Sequence, residues 1–156
     1  MSSVQKSIRI PDEVAKTIQE EAESSGRDFS AVANELLAEA VKLKRCPGIV
    51  FADGPSGRRA RIAGTGLDVW EVVSTYKSLN RDDGRLRDAY HWLSEPQLRS
   101  AVAYFRLYPD EIERQILRND AWSKELSRIS DFRLRISNLS NQPEKSSPRR
   151  TLRTLS

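Results

Sequence analysis

The apolar and polar positions alternate from the start of the chain. In Gln5-Lys6-Ser7-Ile8-Arg9-Ile10, residues Gln5, Ser7 and Arg9 point one way and Ile8 and Ile10 the other. That period of two predicts a strand. Six residues of strand make no sheet alone, and the pattern offers no second strand before residue 49, so the expected partner is the same strand of a second copy. The period then changes. Pro11 opens a helix, Asp12 and Glu13 sit at its positive end, and Val14, Ala15, Ile18 and Ala22 recur at helical spacing. Gly26 suits the left-handed position that stops it. Asp28 reads as the N-cap of a second helix whose apolar face, Phe29, Val32, Ala33, Leu36, Leu37, Ala40 and Val41, is wider than one strand and one short helix can cover. A unit of this size is also too small to be comfortably stable alone, and both points predict an intertwined dimer.

Lys42 to Pro47 closes the second helix with cations and a proline. Gly48-Ile49-Val50-Phe51 and Arg59-Ala60-Arg61-Ile62 flank the turn cluster Asp53-Gly54-Pro55-Ser56-Gly57 and predict a β-hairpin whose second limb carries a basic patch of Arg58, Arg59 and Arg61. Leu67 to Leu79 is patterned as a helix, Arg81-Asp82-Asp83-Gly84 as a break, and Leu86 to Leu93 as a short helix or turn. Ser94-Glu95-Pro96-Gln97 reads as an N-cap with an early proline and a capping-box glutamine, ahead of the stripe Leu98, Ala101, Val102 and Phe105. Asp110 starts another helix with Ile112, Ile116 and Leu117. Beyond Asn119, Trp122, Leu126 and Ile129 form an amphipathic helical seam, and Phe132, Leu134 and Ile136 alternate with Arg133 and Arg135 as in a strand. With little else to cover it, this segment is expected to order on a partner. Residues 138–156, rich in Ser, Pro, Lys and Arg, are expected to be disordered.

Composition narrows the class. With 31% charged and 38% apolar residues, the 156-residue chain has a soluble, globular balance, and a net charge of +4 permits a polyanionic partner. The charge is uneven: from Glu144 onward one acid stands against Lys145, Arg149, Arg150 and Arg153. A single cysteine, Cys46, excludes an intrachain disulfide and suits a reducing compartment. The N-terminus lacks the apolar core of a signal peptide, and no apolar run approaches a membrane span, so a cytoplasmic protein is expected.

Strand, Pro-Asp-Glu, helix, glycine turn and capped helix, over Val4 to Lys44, resemble the ribbon-helix-helix DNA-binding proteins, the Arc and MetJ-like repressors. The resemblance implies a two-stranded ribbon in the DNA major groove, with Gln5, Ser7 and Arg9 reading base edges and Arg27, Asp28, Phe29 and Ser30 clamping a phosphate. Gln suits adenine, Arg suits guanine, and the free N–H groups of a helix start favour an anion. Lys6 departs from the family pattern, which has an apolar residue on the inner face. A second resemblance covers about residues 47–117. Pro47-Gly48-Ile49, Ile62-Ala63-Gly64-Thr65, Val69-Trp70-Glu71-Val72-Val73 and Leu93 to Phe105, followed by Pro109-Asp110-Glu111-Ile112, look like the domain of unknown function found in VapB-type antitoxins beside PIN-like ribonuclease toxins. It implies a winged helix-turn-helix fold whose recognition helix begins near Ser94, with Gln97, Arg99 and Ser100 turned outward to face DNA, Gln97 and Arg99 as DNA-binding residues. Where the family has Gly-Thr-Arg this chain has Gly64-Thr65-Gly66, one positive charge fewer.

The expected fold class is mainly α with small β. Its parts are a ribbon-helix-helix dimer (4–45), a winged helix-turn-helix-like domain (47–118), a toxin-binding segment ordered by its partner (119–137) and a disordered basic tail (138–156). No catalytic or metal site is expected. One histidine, His91, flanked by Tyr90 and Trp92, reads as packed; one Cys and one His fall short of a zinc ligand set; and Gly64-Thr65-Gly66 lacks the lysine and spacing of a phosphate-binding loop. The function expected is that of a type II antitoxin, needing no cofactor, that binds operator DNA as a homodimer or higher homo-oligomer and blocks a cognate PIN-like ribonuclease toxin. Trp122, Leu126, Ile129, Phe132 and Leu134 would anchor in an apolar groove, and Arg133 or Arg135 would enter the metal-binding carboxylates. A repressor without a toxin and a structural dimerisation module are the competing expectations.

Overall fold

The structure, a computed structural model, describes residues 3–54 and 57–140, with side chains to 137. Pro55, Ser56 and most of the basic tail expected at 138–156 lie outside the described residues. The chain is mainly helical with one small antiparallel sheet. It runs α1 (Asp12–Ser25), α2 (Phe29–Arg45), β1 (Ile49–Gly54), β2 (Gly57–Ile62), α3 (Val69–Ser78), α4 (Asp83–Ala89), α5 (Glu95–Leu107) and α6 (Pro109–Ser140). It divides into two compact units, Met1–Glu113 and Arg114–Ser156.

In the first unit, α1 and α2 form a helical hairpin. Pro11 occupies the cap position, and its carbonyl accepts from Ala15 N at 2.9 Å. Gly26 takes the left-handed conformation (φ 64°), which lets Arg27 N reach back to Ala22 O at 2.9 Å and close the helix end. Ile18, Ala22 and Val32 are buried between the helices, with Phe29 and Ala33 packed against them. That is a small core, and the rest of the apolar face stays uncovered.

β1 and β2 pair in register from Ile49↔Ile62 to Gly54↔Gly57. Behind the hairpin lies a second core of Ile49, Ala60 and Ile62 with Val69, Val72, Val73, Leu86, Leu98, Ala101, Tyr104 and Ile112. Ion pairs tie α2 to this body: Arg58 grips Glu39 through Nε and Nη2, and Lys42 donates to Glu111, whose other oxygen accepts from Tyr104 OH at 2.8 Å. The Lys42 ammonium also lies over the rings of Phe51 and Tyr108, at 5.6 and 5.2 Å. Burial, then the bond to Glu111, pushes the Tyr104 phenol well above the usual range. The break read at Arg81 to Gly84 is shorter than expected, because Asp82 caps α4 through Arg85 N and Gly84 already lies in that helix.

The end of the chain departs from its sequence pattern. Phe132 to Ile136 is helix, not strand, and α6 continues unbroken from Pro109 to Ser140. Pro109 is the helix's first residue, and no glycine or further proline interrupts the chain through Ser140. The alternation of Phe132, Leu134 and Ile136 is too short to outweigh a helix already propagating.

Candidate functional site

The N-terminal arm leading to α1, read in the sequence as a strand, has no assigned secondary structure, and among the described residues it pairs with no strand. Gln5, Ser7 and Arg9 are exposed on it, Ile8 is 65% exposed, and Ile10 is half-buried. Ile8, Ile10 and Pro11 form one wall of an apolar groove of about 650 Å³; Val14 and Ile18 of α1 and Leu36 and Leu37 of α2 form the others. Val41 extends the exposed apolar face along α2.

At the α1–α2 turn, the four residues expected to clamp phosphate do different things. Arg27 donates to both oxygens of Glu35, at 3.2 and 3.0 Å, which holds it firmly cationic but directs it along α2. Asp28 stands at the cap position, its carboxylate accepting no hydrogen bond from the first turn. Phe29 is half-buried against Ile18, Ala22 and Val32, so its side chain is a core residue. Ser30 is exposed, at a helix start whose first N–H groups lack helical acceptors.

The basic patch expected on the hairpin is neutralised. Arg58 is held by Glu39 and Asp53, which raises its pKa further. Arg61 Nε donates to Asp68 Oδ1 at 3.0 Å; Arg59 Nε lies 3.0 Å from Asp68 Oδ2, an ion pair off the axis of a hydrogen bond. Asp68, buried at the head of α3, also accepts from Trp70 Nε1, and its backbone N–H donates to Glu71. Neither Asp68 nor Glu39 stands out in the sequence, because a long-range charge pair leaves no local pattern.

Gln97 and Ser100 are likewise not turned outward. Gln97 Oε1 accepts from Ser94 N at 2.9 Å and its Nε2 donates to Ala63 O at 3.3 Å, so the capping glutamine also fastens α5 to the turn after β2. Ser100 Oγ lies 2.9 Å from the carbonyls of both Pro47 and Pro96. A side chain on Gly48, which has φ 90°, would come within 2.8 Å of that hydroxyl. Arg99 is exposed, 3.5 Å from Glu95 one turn earlier.

His91 is exposed and not packed in a core, edge-on to Trp92 at 5.1 Å. Cys46 is buried, and burial pushes its thiol up, with Arg45 opposing. Among the described residues no group of three or more His, Cys, Asp or Glu could hold a metal ion. No helix among them is long and apolar enough to cross a membrane.

In the second unit, the helix carries Trp122, Leu126, Ile129, Phe132 and Ile136 at intervals of three and four, all exposed. The helical geometry separates residues that a strand would have grouped. Arg133, four after Ile129 and three before Ile136, falls within this stripe; Arg135 falls with Lys124 and Arg128, and Leu134 shares a face with Ser127 and Ser130.

No protein-family model matches the chain, and no curated protein matches it. Among solved structures, the 2.00 Å crystal structure of a DUF433 member protein from Anabaena variabilis is similar to it at 23% sequence identity. That similarity covers 69% of this chain and 99% of the other, with a TM-score of 0.39, too slight to carry an argument about fold or function.

Proposed function

We propose that the protein is a homodimeric, operator-binding antitoxin of a type II toxin–antitoxin system. The observation that carries the reading is the unpaired arm lying beside an uncovered apolar groove. A second copy would supply the missing strand and cover Ile8, Val14, Leu36, Leu37 and Val41 in one step, giving a ribbon-helix-helix dimer. Gln5, Ser7 and Arg9 would then form the face that enters the major groove. Phosphate would be gripped by the first N–H groups of α2 and Ser30, with Arg27 and Asp28 contributing little, since one is paired with Glu35 and the other is anionic. The hairpin and α3 to α5 make up the winged helix-turn-helix-like domain of this reading.

The stripe on α6 supports the other half. Trp122, Leu126, Ile129 and Phe132 would anchor in an apolar groove of a PIN-like nuclease, and Arg133 would reach its metal-binding carboxylates. Arg133 within the stripe, with Lys124 and Arg135 on the neighbouring face, offers cations to an acidic partner, while Arg128 pairs with Glu125 at 3.6 Å. The test is to express each neighbouring reading frame with and without this protein. The reading requires one to arrest growth unless this chain is present, and to copurify with it. Absence of such a frame leaves the plain repressor.

A further inference from the structure

We infer that α6 pairs with α6 of a second copy as a short antiparallel coiled coil centred on Ile129, and that this contact joins two ribbon dimers into a tetramer. The α6 contact itself depends on neither the nuclease nor DNA; only the count of four rests on the ribbon dimer proposed above. Two separate two-fold interfaces on one chain, each with its own axis, assemble four copies.

The stripe on α6 has the same spacing in both directions. Leu126 and Phe132 lie three residues to either side of Ile129, and Trp122 and Ile136 lie seven to either side. Exposure runs from 45% at Ile129 to 66% at Trp122, so each of the five presents about half or more of its surface to solvent. Trp122, Ile129 and Ile136 repeat every seven residues, the period of a coiled-coil seam. A two-fold axis at Ile129 lays the same stripe over itself in reverse. Ile129 then meets Ile129 of the second copy, Leu126 shares a layer with its Phe132, and Trp122 with its Ile136. Each layer away from the axis combines one aromatic with one aliphatic side chain. A parallel pair would instead set Trp122 on Trp122 and Phe132 on Phe132, with a narrow layer at Ile129 between them.

The charges inside the stripe obey the same symmetry. Glu125 and Arg133 stand four residues before and four after Ile129. Antiparallel pairing brings Arg133 level with Glu125 of the second copy, twice per interface, whereas parallel pairing would face like charge with like. For helix axes ~8–10 Å apart, the Cα atoms of that pair lie about 7 Å apart, within reach of both side chains. The contact Glu125 makes within its own helix, to Arg128 at 3.6 Å, is exposed on both sides and weak, so its carboxylate is available. A groove on a foreign protein gives no reason for a stripe symmetric about one residue; a second copy of the same helix does. A nuclease taking this stripe must displace the pairing, so its binding would split the tetramer.

The test uses the full chain. By sedimentation equilibrium the wild type should be a tetramer and Leu126→Lys a dimer. Glu125→Arg and Arg133→Glu, made singly, should each raise the tetramer dissociation constant by about tenfold or more. The double variant Glu125→Arg/Arg133→Glu restores opposite charges and should recover most of the loss. Under oxidation Ile129→Cys should form a disulfide between copies, because the axis holds the two Cα atoms ~5 Å apart. Trp122→Cys, about 20 Å from its counterpart at ~1.5 Å per residue, should not. Circular dichroism checks that the variants keep their helix. Leu37→Lys, which opens the ribbon seam, should leave a dimer in which Ile129→Cys still cross-links. A wild type no larger than a dimer, or an Ile129→Cys variant that does not cross-link, overturns the inference and leaves the ribbon reading standing. Cross-linking through Trp122→Cys, or a double variant no better than the single ones, overturns the antiparallel register. If Ile129→Cys cross-links but Leu37→Lys leaves the assembly unchanged, the α6 pairing stands and the ribbon reading fails.

Discussion

Replacing Leu37 tests the dimer directly. Leu37 lines the groove beneath the arm and is 53% exposed, so about half of its side chain remains to be covered. Fully burying a leucine stabilises by ~1.5–3 kcal/mol, so the uncovered half is worth roughly 0.8–1.5 kcal/mol. A two-fold interface contains the residue twice, which doubles the figure to roughly 1.5–3 kcal/mol per dimer. At ~1.4 kcal/mol per factor of ten, Leu37→Ala should raise the dimer dissociation constant by about 10- to 150-fold. Leu37→Lys should do more, since it buries a charged ammonium from each protomer in an apolar seam. Sedimentation equilibrium across a hundredfold concentration range reads the constant. Leu126→Ala, on the exposed face of α6, serves as the control and should leave it unchanged. Wild-type association by Leu37→Lys would refute the argument that the groove and arm form the dimer seam.

Three further outcomes follow from the site geometry. Asp68→Asn removes the carboxylate shared by Arg59 and Arg61; breaking a fully buried pair costs ~3–5 kcal/mol, and the 19% and 29% side-chain exposure of the two arginines reduces this to about 2–3 kcal/mol. Thermal unfolding should then start about 5–10 °C lower. On α6, Arg133→Glu should abolish neutralisation of a nuclease partner while Arg135→Glu costs little, measured by rescue of growth; equal effects would show that the helical stripe does not set the contact. Because burial raises the Cys46 thiol, less thiolate is present at a given pH, and the native protein should react with a thiol reagent at pH 8 far more slowly than the unfolded chain. The same shift makes stability fall as pH rises through the ordinary thiol range, since the unfolded chain then loses its proton first.

What the sequence by itself determined was whatever depends on neighbours within a few residues. Pro11, Gly26 and Asp28 bound the first two helices because a missing N–H, a left-handed φ and a cap position are local requirements. The hairpin and the Ser94–Gln97 capping box formed where expected for the same reason. The wide apolar face of α2 was legible too, and its part at Leu36, Leu37 and Val41 remains uncovered in the single chain.

Tertiary structure decided the rest. The second role of Gln97, the bond to Ala63, requires α5 to arrive beside the end of the hairpin. Of the arginines that look equivalent in sequence, those at 58, 59 and 61 are neutralised by Glu39, Asp53 and Asp68, while among the described residues those at 45, 87 and 106 form no ion pair. Helix continuation through Phe132 to Ile136 moved Arg133 into the apolar stripe and Leu134 out of it. Charge pairing and side-chain direction depend on which distant segments meet, and short alternating patterns yield to the helix already formed before them.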